Sequence, residues 1–161
     1  MMLTFRWAQP RDAESLLACM QSVEQSGQMM VNPGERQLSK GRLEKQLQQT
    51  SPFWVALSKQ EVVGYVLVKR NTLQRKQHCA YLVMGVHEGF RGKGIGKQLL
   101  QTLLQEKSQP LITRFELTVR ADNHAARALY ESFGFQKEGI VRHSLWIDGA
   151  YVDEWLMSKL I

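Results

Sequence analysis

The sequence predicts a single α/β domain over residues 1–161, in which helices cover the faces of a mixed sheet. Three observations support this prediction. A chain of 161 residues has the size of one domain. Hydrophobic residues make up 43% and charged residues 22%, as in an ordinary globular protein. The periodicity of the apolar residues then predicts the element order β-α-α-β-β-β-α-β-α-β-β.

The first half of the chain begins with a strand and a helix. Residues 2–9 alternate loosely between apolar and polar and stop at Pro10, which predicts a strand. Asp12 is placed to cap a helix that ends at Ser26-Gly27. The elements predicted next are a loop to Gln37, a helix over about 39–49, and a hairpin of strands over 53–57 and 62–68.

The second half alternates between strand and helix. An apolar run from Cys79 to Val86 predicts a buried strand, and a strand over 115–119 follows a helix over 94–107. Asp148-Gly149 stands between two extended runs, as is typical of a hairpin turn. The two predicted helical faces consist of Ile95, Leu99, Leu103 and Leu104, and of Ala126, Leu129, Tyr130 and Phe133 before the stop at Gly134.

Cysteine content and charge bear on compartment and ligand. Cys19 and Cys79 are too few for a disulfide framework, which predicts reduced thiols in a cytoplasmic protein. The net charge of +6 fits an anionic ligand or partner: a nucleic acid, a phosphorylated cofactor or a membrane surface. Because no apolar run approaches the roughly 20 residues of a membrane span, no membrane partner is expected.

A glycine-rich turn joins the strand ending at Val86 to the helix beginning near Gly94. Glycines let a backbone approach a ligand closely, and the free amides of a helix N-terminus favour a phosphate. Arg91, Lys93 and Lys97 add three positive charges with no acidic residue between them. These features predict a pyrophosphate site.

Two common phosphate-binding patterns do not fit this turn. A P-loop requires G-x-x-x-x-G-K-[ST], but Arg91 stands five residues before Gly96, and Gln98 stands where Ser or Thr belongs. The dinucleotide pattern G-x-G-x-x-G fails from either possible starting glycine, because Lys97 or Leu99 occupies its third glycine position. The pyrophosphate must therefore belong to a different class of ligand.

Two motifs, one in this turn and one downstream, resemble those of a known enzyme family. Arg91-x-x-Gly94-x-Gly96 is similar to the acyl-CoA signature R/Q-x-x-G-x-G/A, and residues 123–135 are similar to N-x-x-A-x-x-L-Y-x-x-x-G-F. Both signatures belong to the GCN5-related N-acetyltransferase (GNAT) family, whose element order also matches over nearly the whole chain. The pattern from Glu138 to Met157 resembles the branch that acts on amino acids, polyamines or protein N-termini.

The resemblance implies a fold, a co-substrate and a set of site residues. The fold is a mostly antiparallel mixed sheet with helices on both faces, and acetyl-CoA binds between two splayed parallel strands that end at Val86 and Val119. Tyr130 is implied to lie near the thioester sulfur, where its phenol can protonate the leaving thiolate. No metal is implied. The residues implied to bind acetyl-CoA are Met84, Val86, Arg91, Gly92, Lys93, Gly94, Ile95, Gly96, Lys97 and Asn123.

The predicted function is acetyl-CoA-dependent acetylation of a primary amine by direct attack. One alternative is a non-catalytic acyl-CoA-binding module, which need not keep Tyr130. Another is an RNA- or ribosome-binding protein, although only Phe90 lies beside a basic cluster, so nucleic acid is not expected. The candidates for the base that deprotonates the amine are a water chain, His87, Glu24, Glu35 and Glu88.

The partners expected from the sequence are an amine acceptor and a second copy of the chain. The acceptor, a small molecule or a peptide, is predicted to be selected chiefly by the loops over 26–37 and 69–76. The last hairpin carries more apolar side chains than one sheet face needs, which predicts a homodimer. These side chains are Leu145, Trp146, Ile147, Trp155, Leu156 and Met157.

Overall fold

The computed structural model describes residues 1–106 and 111–161. In this part of the chain, seven strands and four α-helices follow one another in the predicted order. The helices are α1 (Ala13–Glu24), α2 (Lys40–Gln49), α3 (Ile95–Gln105) and α4 (His124–Ser132). The strands are β1 (Thr4–Trp7), β2 (Phe53–Ser58), β3 (Glu61–Arg70), β4 (Cys79–Val86), β5 (Arg114–Arg120), β6 (Gln136–Ile147) and β7 (Ala150–Leu160).

The strand pairing confirms the predicted mixed sheet. The strand order is β1-β2-β3-β4-β5-β7-β6. The β1–β2, β2–β3, β5–β7 and β6–β7 pairs are antiparallel, whereas β4 and β5 form a parallel pair. The parallel register runs from Cys79 opposite Arg114 to Tyr81 opposite Glu116, that is, over the first three residues of each strand.

The described residues group into two compact units. The first unit comprises residues 1–68 and 83–106. In its core, apolar side chains of α1 and α2 pack with those of β2 and β3, and removing these side chains from water is the main stabilising contribution. The largest fully buried side chains of this cluster are Leu16, Met20, Leu43, Val55 and Tyr65.

The second unit comprises residues 69–82 and the described part of 107–161. Its core lies on β5 and β7, where Leu117 and Met157 are register partners and both are buried. Phe135, which follows α4, is also buried and contacts Tyr130 through rings whose centroids are 5.7 Å apart. This contact anchors α4 within the unit.

Asp12 does not cap α1 in the predicted way. It stands at the N-cap position, but its carboxylate accepts no hydrogen bond from the helix. The carboxylate instead accepts the Gln9 N–H at 2.6 Å and pairs with Arg6 at 2.6 Å. These bonds close a 3-10 turn over Pro10–Asp12, which ends the extended segment earlier than the predicted residue 9.

Helix α3 is close to its predicted form. It runs from Ile95 to Gln105, and the predicted end at Lys107 lies outside the described residues. Its buried residues include Leu100, whereas Leu104, which was predicted to be on the buried face, is only half-buried. The buried stripe is therefore rotated toward Leu100 relative to the prediction.

Gly85 in β4 lies directly under α1. A Cβ atom at this position would be 2.6 Å from Cγ1 of Val23. We therefore expect Gly85→Ala to lower the free energy of unfolding by about 1–3 kcal/mol through overpacking, measured by urea denaturation. The control is Gly41→Ala in α2, where a Cβ would meet nothing within 4 Å and helix propensity predicts a gain of about 0.5–1 kcal/mol. Wild-type stability of Gly85→Ala would show that α1 is not held closely against β4.

None of the helices in residues 1–106 and 111–161 is long and apolar enough to cross a membrane.

Candidate active site

The end of β4 presents alternating side chains. Gly85 is buried beneath Val23, while its neighbours Met84 and Val86 are half-buried. Because successive residues of a strand point to opposite faces, Met84 and Val86 lie on the face away from α1. Their backbone groups are therefore on the strand segment that leads directly into the glycine-rich turn.

The turn after β4 is held by local hydrogen bonds and ring contacts. His87 Nδ1 accepts the Gly89 N–H at 3.0 Å, and the Phe90 N–H donates to His87 O at 2.9 Å. The Lys93 ammonium lies 5.2 Å from the centroid of the Phe90 ring, a cation–π contact. Arg91 Nε donates to Val86 O at 3.3 Å, so the turn folds back on the end of its own strand.

Glycine is favoured at positions 92 and 94 by the backbone conformation, not by a lack of space for a side chain. Their φ angles are +74° and +75°, in the left-handed region, yet a Cβ on either would meet nothing within 4 Å. An ordinary L-residue adopts this region at a cost of roughly 1–2 kcal/mol. The open space beside both glycines leaves room for a ligand against the backbone.

Helix α3 begins at this turn without a side-chain cap. Gly94 is its N-cap residue, and the first intrahelical bond runs from the Gln98 N–H to Gly94 O at 3.1 Å. The amides of Ile95, Gly96 and Lys97 precede that bond and have no helical acceptor. The buried Ile95 side chain anchors this first turn, and the helix dipole adds partial positive charge there.

The side chains of the turn make the site cationic. Arg91, Lys93 and Lys97 are all exposed, and Glu88 is the single acidic residue between β4 and α3. Free amides, a helix N-terminus and exposed cations together favour a diphosphate. The predicted residues from Met84 to Lys97 thus form one continuous segment of the first unit.

Asn123 is the N-cap of α4 in the second unit. Its side-chain oxygen accepts the Ala126 N–H at 3.2 Å, which satisfies one free amide of the helix. This bond involves only the side-chain oxygen, so the two N–H donors of the side-chain amide take no part in it. The spacing N-x-x-A is itself an N-cap pattern, a role that the sequence analysis did not assign.

Tyr130 lies two turns further along α4 and is buried. Burial, with a smaller contribution from Tyr81, raises the pKa of Tyr130 to about 12. The phenol therefore keeps its proton at neutral pH, which is the form that a general acid needs. The Tyr81 hydroxyl, for which the sequence analysis assigned no role, forms a hydrogen bond with Thr118 Oγ1 and accepts the Thr118 N–H at 3.3 Å.

Three of the four candidate side chains have structural partners, and the fourth, Glu88, is exposed. Glu24 is buried and forms an ion pair with Arg36. The Glu35 carboxylate accepts the Asn32 N–H at 2.8 Å in an exposed turn. His87 caps the Glu88–Phe90 turn through Nδ1, as described above. Glu24, Glu35 and His87 are thus engaged in other hydrogen bonds, and a water chain stays among the candidates.

Other residues with possible chemical roles are the two cysteines, as nucleophiles, and the side chains that could bind a metal ion. Cys19 is buried, and burial raises its pKa to about 12, so it stays a thiol and is a poor nucleophile. Cys79 is half-buried, and neither cysteine forms a disulfide. Within residues 1–106 and 111–161, no group of three His, Cys, Asp or Glu side chains is arranged to hold a metal ion.

Comparison with known proteins finds similarity to one family of enzymes. The profile of the Acetyltransferase (GNAT) family matches residues 16–135. N-alpha-acetyltransferase RimI of Mycobacterium tuberculosis is 39% identical over 61% of this chain and 59% of its own length. L-amino acid N-acetyltransferase AaaT of Escherichia coli is 28% identical over 62% of each chain. The chain thus spans less than two thirds of the length of these curated relatives.

A solved structure extends the likeness to the whole fold. The acetyltransferase of the GNAT family from Streptococcus pneumoniae superposes with a TM-score of 0.92 at 26% identity. The superposition covers 99% of this chain and 100% of that one.

Proposed function

Because this chain belongs to the GNAT family of acetyltransferases, we propose that it transfers the acetyl group of acetyl-CoA to a primary amine. The observation that carries the proposal is the N-terminus of α3, where left-handed glycines and uncapped amides meet three exposed cations. We assign the CoA pyrophosphate to the amides from Arg91 to Lys97. The exposed cations of this turn would pair with the phosphates, which explains why the turn is basic.

The remaining assignments concern the acyl end of the co-substrate. The backbone of Met84 and Val86 binds the pantetheine arm and the thioester, and the side-chain amide of Asn123 donates to the arm. A backbone N–H near Val86 stabilises the oxyanion that forms when the amine attacks. As the C–S bond breaks, Tyr130 gives its proton to the thiolate. The proton that the amine nitrogen loses leaves through a water chain, and water returns a proton to the Tyr130 phenolate.

The proposal is tested by thermal unfolding with different nucleotides. Acetyl-CoA is expected to raise Tm by mass action, and ATP and NAD are expected to leave it unchanged. Thiol release is then followed with a panel of amino acids, polyamines, aminoglycosides and N-terminal peptides. A rise in Tm with ATP or NAD but none with acetyl-CoA would refute the proposal. Binding of acetyl-CoA without thiol release on any acceptor would instead favour a non-catalytic acyl-CoA-binding module.

We propose that the acceptor is a small molecule or a peptide with a primary amine. RimI is named for N-alpha-acetylation and AaaT for L-amino acids, and an α-amine is common to both names. The two reduced cysteines favour the cytoplasm as the compartment in which the enzyme works. We propose neither a nucleic acid nor a membrane as a partner.

We further propose a homodimer formed through the β6–β7 hairpin. β6 ends the strand order, and large apolar side chains on the hairpin are exposed, among them Trp146 at 62% and Tyr151 at 59%. Ile140 and Val141 on β6 are exposed as well, whereas Met157, which was predicted to belong to this surface, is buried in the core. An edge strand with such a surface favours pairing with another chain.

The dimer is expected to dissociate when Trp146 becomes charged. Light scattering at micromolar concentration should give twice the chain mass for the wild type and the chain mass for Trp146→Glu, because a carboxylate would be buried unpaired. Leu73→Glu, at an equally exposed residue outside the hairpin, is the control and should stay dimeric. A wild type that is monomeric at this concentration contradicts the prediction.

A further inference from the structure

The first unit contains a buried ion pair that the proposed reaction does not use. Glu24, the last residue of α1, is 2% exposed, and its Oε1 accepts a hydrogen bond from Arg36 Nε. Arg36 lies in the loop between α1 and α2. A carboxylate buried to this extent requires a charged partner, so the pair fixes where the guanidinium lies.

The ion pair lies close to β4. Val23, which precedes Glu24, fills the space beside Gly85, as described above. A Cβ on Gly64 of β3 would be 3.3 Å from Gly85 O, so β3 passes this point just before Tyr65. The buried Tyr65 interacts electrostatically with both Glu24 and Arg36.

This arrangement places the pair at one segment of β4. Val23 and Gly64 both lie beside Gly85, and each directly precedes a residue of the Glu24–Tyr65 cluster. Gly85 in turn stands between Met84 and Val86, to which the proposed function assigns the thioester. The Glu24–Arg36 pair thus lies on the α1 side of the strand that carries Met84 and Val86.

Arg36 has binding capacity that Glu24 does not use. Its side chain is 30% exposed, compared with 3% for Glu24, so a ligand can reach it. Among residues 1–106 and 111–161, the hydrogen-bond partner of Arg36 is Glu24 through Nε, and the two terminal nitrogens have none. A planar guanidinium edge with two free N–H groups matches a carboxylate, which it binds through two parallel hydrogen bonds.

We infer that Arg36 is a specificity residue that binds the α-carboxylate of a free amino acid acceptor, and that Glu24 is the positioning residue that holds it. The inference rests on the proposed function. In an α-amino acid the carboxylate is one carbon from the amine, so a cation near the thioester can hold one while the other attacks. A polyamine has no anion for Arg36 to bind, and a peptide N-terminus has no carboxylate next to its amine.

The test compares free amino acids with their own α-amides, using thiol release from acetyl-CoA. For the best amino acid, wild-type kcat/KM is expected to exceed that of its amide by at least about tenfold, with the difference mainly in KM. Arg36→Gln should remove this preference by lowering kcat/KM on the acid and leaving that on the amide within about twofold. Arg36→Lys keeps the positive charge but lacks the paired N–H donors of a guanidinium, and it should recover part of the preference for the acid over the amide.

Two further variants keep the result interpretable. Arg36→Gln leaves the Glu24 carboxylate buried without a partner, so the double variant Glu24→Gln with Arg36→Gln restores a neutral, hydrogen-bonded pair and should show the same loss of preference. Arg42→Gln removes an exposed charge from α2 in the same unit and should keep the preference. Thermal unfolding with acetyl-CoA confirms that each variant is folded and binds the co-substrate.

The outcomes separate this inference from the proposed function. Equal wild-type activity on acid and amide, or an equal loss on both in the folded Arg36 variants, overturns the carboxylate-binding role of Arg36. Acetyl-CoA binding with turnover on polyamines or peptides alone also overturns it, while leaving the proposed function intact. Absence of any acetyl-CoA effect on Tm, with no thiol release on any acceptor, refutes the proposed function itself.

Discussion

Gly94→Glu is expected to lower the affinity for acetyl-CoA by about a hundredfold or more. The new carboxylate would enter the open space beside Gly94, which the proposal assigns to the pyrophosphate. Two like charges about 4 Å apart repel by roughly 4 kcal/mol near a protein surface, and screening leaves about 3 kcal/mol, or a hundredfold. Isothermal titration with acetyl-CoA measures the change directly.

The controls for this substitution separate charge from backbone strain. Gly94→Ala carries the strain of a left-handed φ without the charge, and a loss of affinity below about tenfold is expected. Gly149→Glu places the same charge at another left-handed glycine with open space, in the β6–β7 hairpin, and should leave the affinity unchanged. Unchanged affinity in folded Gly94→Glu would mean that the pyrophosphate does not bind at the start of α3.

The turn around Gly94 could be predicted because its determinants are local. A glycine in the left-handed region, followed by apolar residues at helical spacing, indicates where a strand ends and a helix begins. The predicted start at Gly94 and the observed helix from Ile95 agree for this reason. Lys97 is exposed because it falls on the polar side of the same periodic pattern, and Lys93 is exposed in the turn before the helix.

Other features depend on partners that are distant in sequence. Glu24 and Arg36 are 12 residues apart, and the loop between them has no periodicity that would bring them together. Asp12 is a residue type that is common at N-cap positions, but its carboxylate binds Arg6 and the Gln9 N–H instead of the helix amides. Near His143, β6 shifts register against β7, and the His143 N–H bonds to Asp153 Oδ1 at 2.7 Å, which only the folded hairpin reveals.

Tyr130→Phe is expected to lower kcat by roughly ten- to a thousandfold, as when a general acid is removed. The substitution keeps the ring that packs on Phe135 and removes the phenolic proton. Acetyl-CoA affinity and Tm should hardly change, because the lost interaction forms mainly in the transition state. The matched control is Tyr151→Phe, which removes an exposed hydroxyl from the hairpin and should leave kcat near the wild-type value.

The raised pKa of Tyr130 also determines the pH dependence expected for this effect. Because the pKa of Tyr130 is raised to about 12, the phenol stays protonated throughout an assay between about pH 7 and 10. Tyr130→Phe should therefore lower kcat by the same factor at every pH in that range. A phenol with the ordinary pKa of about 10 would instead lose its proton within the range, and the wild-type advantage would shrink as pH rises. Near-normal turnover with a lower Tm would show that Tyr130 serves the core, and that water or another side chain protonates the thiolate.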